Sequence, residues 1–176
     1  AMDTCGLQIT NPQAGDVFYL DTLPVEVIAP LKDYSDLNNI SITLKITNGE
    51  TSFLFTGDIE DTAEKDILNA GSDIDIDVLK VAHHGSNSST GEKFLYATSP
   101  DIAVISVGAN NTYGHPSEHV ISSLEKQNTD IYRTDENGTI VVTSDGTNLF
   151  VAKEHETSTV SNFKVETEKN STVSDE

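Results

Sequence analysis

The spacing of apolar residues changes period several times along the chain, and each change marks an element. In "NISITLKITN", residues 39 to 48, Ile40, Ile42, Leu44 and Ile46 fall on one face and Ser41, Thr43, Lys45 and Thr47 on the other. Strict period-two alternation predicts a half-buried strand. Asn48-Gly49 at its end is the strongest short-range hairpin signal, and "TSFLFTG" returns as the partner strand, apolar enough to be central. Upstream, "DVFYL" and "LPVEVIAP" read as two further strands, the second closed by Pro30. Downstream, "DTAEKDILNA" is rich in helix formers and is followed by Gly71, a helix stop.

"DVLKVA" is a short apolar run, "GEKFLYAT" offers one or two helical turns, and "PDIAVISVG" reads as a strand buried on both faces. A helix follows over "PSEHVISSLEKQ", with Pro116 suited to its first turn. The strand "DIYRT" then leads into "DENGTIVVTSDGTNLFVA", which predicts two strands joined at Asp145-Gly146. Alternating strands and helices with hairpins at both ends predict an α/β domain built on a mixed β-sheet with helices. Three stretches are expected: an N-terminal segment over 1–37, cut short at its start; the domain proper over 38–152; and a Ser/Thr/Glu-rich, acidic mobile tail over 153–176.

Three polar groups interrupt this pattern at equivalent places. Asp58 follows an apolar strand and Gly57 and precedes a helix, where a cap for the helix N-terminus is the ordinary use of an aspartate. His83 and His84 end the run "DVLKVAHHGSNSST". Adjacent side chains at a strand end point to opposite sides, so one is expected in a cleft and the other elsewhere. His115, in "NNTYGHPSEH", again lies between a strand and a helix, and could cap the helix or meet negative charge beside its dipole. His119 is expected on an exposed helix face. Each has a bland reading, but all three groups lie just past the C-terminal end of a strand, the edge where open α/β sheets bind ligands.

Composition narrows the chemistry. The 29 acidic and 10 basic residues give a net charge of −19, and only six of the acids lie in 153–176. Such a field works against non-specific nucleic-acid binding, which needs lysine and arginine to neutralise phosphates. With Cys5 as the single cysteine, disulfide frameworks and thiolate metal sites are excluded, so a metal here must take nitrogen and oxygen ligands. No apolar run approaches a transmembrane span, and "AMDTCGLQIT" lacks the basic and apolar regions of a signal peptide.

Four blocks, "NNISITLKITNGETSFLFTGDIEDTAEKDIL", "DVLKVAHHGSNSST", "PDIAVISVGANNTYGHP" and "DIYRTDENGTIVVTSDG", in this order, resemble the C-terminal half of the metallo-β-lactamase-like domain of ComEC/Rec2-type competence proteins. The resemblance runs from about Asn38 to Phe150. It implies roughly half of a four-layer αββα sandwich, and in the complete domain a two-metal site holding zinc or manganese. Asp58 then corresponds to the aspartate that bridges the metals. His84 corresponds to a late histidine ligand, which leaves His83 beside the metal or against the substrate. Asn39 stands where many relatives carry another histidine ligand. Asn111, Tyr113 and His115 match an "N-x-YGHP" block that lines the active site, and Ser86 joins them as an expected substrate contact. His115 and His83 are the expected catalytic side chains.

The superfamily's principal motif, His-x-(His or Asp)-x-Asp-His, does not occur in the chain. In relatives it lies upstream, so the chain is expected to be a C-terminal fragment whose partner is the missing N-terminal half of the domain. The implied function is part of a bacterial metal-dependent hydrolase, a phosphodiesterase or nuclease acting on a phosphodiester or DNA substrate in competence. Its implied setting is extracellular or membrane-associated in the full-length protein. Phosphorylcholine esters, lactones and thioesters are further substrates of the superfamily, and a non-catalytic structural or protein-binding half-domain is the alternative. Two expected ligands are fewer than the three of a tight zinc site. Weak metal binding, little hydrolysis and self-association through exposed sheet surface are therefore expected of the chain alone.

Overall fold

The computed structural model describes residues 10–155 and 161–164. Seven strands form one mixed sheet in sequence order: β1 (Val17–Leu20), β2 (Leu23–Ala29), β3 (Thr43–Asn48), β4 (Thr51–Phe55), β5 (Val78–Lys80), β6 (Ile102–Ile105) and β7 (Asp130–Arg133). The hairpins β1–β2, β2–β3 and β3–β4 are antiparallel, and β4 to β7 run parallel. The change follows from the connections. Antiparallel neighbours need only short turns, whereas each parallel step needs a crossover, here through a helix or helical turn. The crossovers use α1 (Asp61–Ala70), α2 (Glu92–Thr98) and α3 (Glu118–Lys126). Gly71 ends α1 in the left-handed conformation, φ 67°, with its N–H donating to the Leu68 carbonyl, as the sequence predicts.

Beyond β7 a short helical turn, α4 (Thr134–Asn137), precedes a three-stranded antiparallel sheet in the order β10-β9-β8: β8 (Ile140–Ser144), β9 (Asn148–Lys153) and β10 (Ser161–Lys164). The turn α4 was not expected from "TDENG". β10 and the end of β9 lie within the segment read as a tail, of which residues 156–160 and 165–176 are outside the described residues. Ser117, not Pro116, opens α3: its side-chain oxygen accepts from the Val120 N–H at 3.3 Å. No described helix is long and apolar enough to cross a membrane.

The two faces of the large sheet differ. Leu54, Leu79 and Ala103 are register partners across β4–β6 and lie under the helices. With Ala63 and Ile67 of α1, Phe94 and Leu95 of α2, and Val120 and Leu124 of α3 they form the main core. On the opposite face Phe53, Val78 and Ile102 are successive partners, and Val78, Ile102 and Tyr132 pack against Leu149 and Val151 of the small sheet. That cover reaches Phe53 and the β3–β4 turn, where Asn48 Nδ2 donates to the Ser144 hydroxyl at 2.9 Å and the Thr51 and Ser144 hydroxyls lie 2.6 Å apart, but it is incomplete. A gap of about 210 Å³ lies between Phe53, Phe55, Val78 and Val104 of the large sheet and Ile140 and Val142 of β8, and Lys80 also lines it. Phe18, Ile42 and Phe55 are 43, 47 and 43% exposed.

This reverses the assignment that alternation suggests for β3. The period is two, but the fully buried positions are Thr43 and Lys45, while Leu44 and Ile46 are half-buried and Ile42 is exposed. Thr43 and Lys45 are accommodated by polar partners. The Thr43 hydroxyl donates to the Thr56 carbonyl, and Lys45 Nζ donates to the Asp73 carbonyl at 3.0 Å and pairs with its carboxylate at 3.1 Å. The apolar face of the strand is the open one.

Candidate functional site

Asp58 does not cap α1. The N-cap is Glu60, whose own side chain makes no capping bond. The capping oxygen comes from Asn39 instead: its Oδ1 accepts from the Glu60 and Ala63 N–H groups, each at 3.1 Å. Asn39 is buried and fully engaged in that role, so its amide oxygen serves the helix rather than a metal. Asp58 is thereby released. Its backbone N–H donates to the Ser41 hydroxyl at 3.1 Å, and its half-exposed carboxylate lies 3.7 Å from His84 Nε2.

The histidine pair does not continue β5, which ends at Lys80. His83 (φ 46°, ψ 42°), His84 (φ 57°, ψ 23°) and Gly85 (φ 79°) are three consecutive left-handed residues. That conformation costs about 1–2 kcal/mol for each residue with a Cβ. Only glycine fits the third place, since a Cβ there would meet Pro116 Cβ at 2.7 Å. The Gly85 carbonyl also accepts from the Ser117 N–H at 2.8 Å, tying this turn to the loop that carries His115. In a strand the two imidazoles would point apart; in this turn their ring centroids are 6.3 Å apart, edge to face. His83 lies between the others, 5.8 Å from His115.

Hydrogen bonding orients His84. Its Nδ1 is 2.7 Å from the Ser106 carbonyl oxygen, which can only accept, so Nδ1 carries the proton and donates. A neutral ring then has its lone pair on Nε2, directed at the Asp58 carboxylate. In the neutral ring two electron-pair donors are thus 3.7 Å apart, and either a metal ion between them or a second proton on Nε2 would satisfy both. Lys80 is nearby: burial lowers its pKa and the Asp58 charge opposes that shift.

His115 belongs to a loop held by Asn111. Asn111 Oδ1 accepts from the Tyr113 and His115 N–H groups at 3.2 and 3.1 Å, and Nδ2 donates to the His115 and Gly108 carbonyls at 2.7 and 3.2 Å. The Tyr113 ring, largely exposed, stacks at 20° to the His115 ring with centroids 6.0 Å apart. Burial, with the neighbouring His83 and His84, pushes the His115 pKa below the usual imidazole value. His84, Ser106, Asn111, Tyr113 and His115 line one cleft of about 410 Å³.

Asp58, His83, His84 and His115 therefore share one neighbourhood at the C-terminal ends of β4, β5 and β6. Ser86 does not line the cleft: it is buried, and its hydroxyl is 3.0 Å from that of Ser88. His119 lies on α3, exposed, beside a separate cavity. The residue that sequence reasoning missed is Glu60. Its Oε1 accepts from Ser88 Oγ at 2.9 Å and Asn38 Nδ2 at 3.2 Å, and lies 3.2 Å from His83 Nδ1. Its position two residues after Asp58 was the only signal.

No family model matches the chain. It is 40% identical over 136 residues to ComE operon protein 3 of Bacillus subtilis (strain 168), an alignment covering 77% of this chain and 18% of that protein. It is 36% identical over 106 residues to competence protein ComA of Neisseria gonorrhoeae, covering 60% of this chain and 15% of the relative. With recombination protein 2 of Haemophilus influenzae it shares 32% identity over 130 residues, 73% of this chain and 16% of the other. The chain thus spans less than a fifth of the length of these relatives. In sequence this segment belongs with the ComEC/Rec2-type competence and recombination proteins.

Proposed function

We propose that this chain forms the later half of a metal-dependent hydrolase domain of the metallo-β-lactamase type, acting on phosphodiesters, DNA among them, during bacterial DNA uptake. The observation that carries the reading is the Asp58–His84 pair: a carboxylate and a lone-pair nitrogen 3.7 Å apart, with the far side of the imidazole fixed by Ser106. Zinc and manganese both accept such nitrogen and oxygen donors. Asp58 and His84 would hold the metal, which when bound would lower the pKa of its water and polarise a phosphoryl oxygen. His115, whose lowered pKa favours the neutral ring at pH 7, would steady the phosphate by donating its ring N–H to a phosphoryl oxygen, while protonating the leaving group would need the minor, charged form of the ring. His83 stands against it, Tyr113 offers a face to an aromatic part of the substrate, and Asn111 fixes the loop that presents both.

Among the described residues no group of three or more His, Cys, Asp or Glu side chains is placed to hold a metal ion. The remaining ligands would then come from the missing first half of the domain. The open apolar face of β3 and β4 supports that partner, since half of a sandwich leaves uncovered the sheet that the other half packs against. An extracellular or membrane-associated setting goes with this reading. A second reading, a non-catalytic structural or protein-binding half-domain, draws on the same incomplete ligand set and on Asn39, committed to capping α1.

Calorimetric titration of the chain with Zn²⁺ and Mn²⁺ separates the two, with hydrolysis of bis(p-nitrophenyl) phosphate and single-stranded DNA as the activity readout. Weak binding is expected, lost in Asp58→Ala and His84→Ala. The longer polypeptide that includes the upstream half should bind tightly and turn over. Binding indifferent to both substitutions overturns the ligand assignment and favours the non-catalytic reading. Sub-micromolar binding with turnover by the chain alone, lost in Asp58→Ala, would show that the fragment is itself a complete enzyme.

A further inference from the structure

We propose that Glu60 is a positioning residue for His83: its carboxylate selects the Nδ1–H tautomer of that imidazole and leaves Nε2 as the unprotonated nitrogen of the ring. Three segments converge on Glu60 Oε1. Asn38 Nδ2 donates to it from the loop before β3, Ser88 Oγ donates from the loop after the histidine turn, and His83 Nδ1 approaches to 3.2 Å. Nothing in the helix requires the carboxylate, because Asn39 performs the capping.

His83 Nδ1 is buried and makes no hydrogen bond among the described residues, and the Glu60 carboxylate oxygen lies 3.2 Å from it. A buried ring nitrogen beside a carboxylate that already accepts twice is stable as a donor and unfavourable as a second acceptor. The proton therefore belongs on Nδ1. The other ring nitrogen lies on the side of the ring away from Glu60, and the ring itself sits edge-on to both His84 and His115. The left-handed backbone at His83 makes this placement specific to the turn, because an ordinary strand end would carry the side chain elsewhere. Glu60 and His83 thus repeat at one remove what the Ser106 carbonyl does for His84: each imidazole has its Nδ1 proton fixed from behind.

The catalytic use of His83 rests on the hydrolase reading above; the tautomer does not. Long-range ¹H–¹⁵N correlation spectra of the labelled chain at about pH 8, above the ordinary imidazole pKa of about 6.5, report it directly. Wild type should show His83 with Nδ1 protonated and Nε2 bare. Glu60→Ala should return the ring to the Nε2–H form that a free imidazole prefers, with the His84 signals unmoved. Glu60→Gln keeps an acceptor oxygen at the same reach and should retain the wild-type tautomer, a rescue that a purely space-filling role would not give. If Glu60→Ala fails to fold, Glu60→Met removes the acceptor at similar length. An Nε2–H or doubly protonated His83 in wild type overturns the proposal, as does a tautomer unchanged in both Glu60→Ala and Glu60→Met. Failure of the metal titration with the wild-type tautomer as stated removes the hydrolase reading and leaves the positioning role standing.

Discussion

Leu54 and Phe55 are neighbours on one strand and live in different worlds. Leu54 faces the helices and is fully buried in the main core, whereas Phe55 faces the other way and is 43% exposed beside the gap under β8. The same contrast extends across the sheet. On the helix side even buried polar groups are paired, as with Lys45, whose ammonium reaches the exposed Asp73, or Asn39 at the N-terminus of α1. On the other side apolar rings meet only part of a second layer. That second face is mixed: Val25 and Val27, the β2 partners of Ile46 and Leu44, are 1% exposed, whereas Ile42 and Phe55 stay partly open. The largest expected effect follows from the pair Leu54 and Phe55. Leu54→Ala should cost about 3–4 kcal/mol, the range for emptying a fully buried site. Phe55→Ala should cost about 1 kcal/mol, because much of the ring already meets solvent. Urea denaturation of both variants checks it, and equal losses would mean that the open face is as well packed as the closed one.

The closed face also confines a carboxylate. Glu64, on α1, is 2% exposed and accepts from the Thr90 and Gly91 N–H groups at the start of α2. Burial pushes its pKa up to about 7, against the pull of those two N–H donors. The folded pKa is therefore above the ordinary value of 4.5. Stability from this group is fully present below pH 4.5 and is lost as pH rises through about 7. The loss amounts to about 3 kcal/mol between those limits. Denaturation at pH 5 and pH 8 should show wild type losing more stability than Glu64→Gln over that interval. The net charge acts on both proteins alike, so the difference isolates Glu64. Parallel pH profiles would place its carboxylate in contact with water.

What the sequence made legible was local. Period-two alternation identified β3, although the strand begins at Thr43 and not at 39, because Asn39 is drawn out of line to cap α1; Gly71 ended a helix where it was expected, and Asp145-Gly146 joined β8 to β9. The convergence of Asp58, His84 and His115 was also visible, because each follows a strand at the same edge of a parallel sheet. What remained hidden depends on partners distant in sequence. Asn39 caps a helix that begins more than twenty residues later, and no local pattern announces that. Alternation in β3 gave two faces but not which one is covered, since Thr43 and Lys45 are buried only through groups supplied by Thr56 and Asp73. The close approach of Pro116, which requires glycine at the third place of the left-handed turn, likewise comes from a partner about thirty residues away. The Asn39 role gives a third expectation, smaller than the first two. Asn39→Ala should cost about 1–2 kcal/mol by removing the cap from α1, while Asp58→Ala should leave stability within about 0.5 kcal/mol. Thermal unfolding of the two variants side by side tests it, and a large loss in Asp58→Ala would return that residue to a structural role.

The smallest effect on stability should come from the open face, and there the informative readout is association. Ile42 continues the apolar face of β3 and is 47% exposed, so a lysine can keep its stem on the sheet and its ammonium in water. Ile42→Lys should change unfolding free energy by about 0.5 kcal/mol or less. Leu44 and Ile46 continue that face of β3, Phe55 is the partner of Leu44, and together they form apolar surface that a second copy can cover. At a net charge of −19, long-range repulsion opposes self-association at low salt, and screening at high salt removes it while leaving the apolar attraction in place. Light scattering of the wild-type chain should therefore show a mass that rises with concentration and with salt, and Ile42→Lys should shift the curve toward monomer. A wild-type chain that stays monomeric at high concentration and high salt would mean that its own residues already cover this face, and the case for a missing layer would lose its structural support.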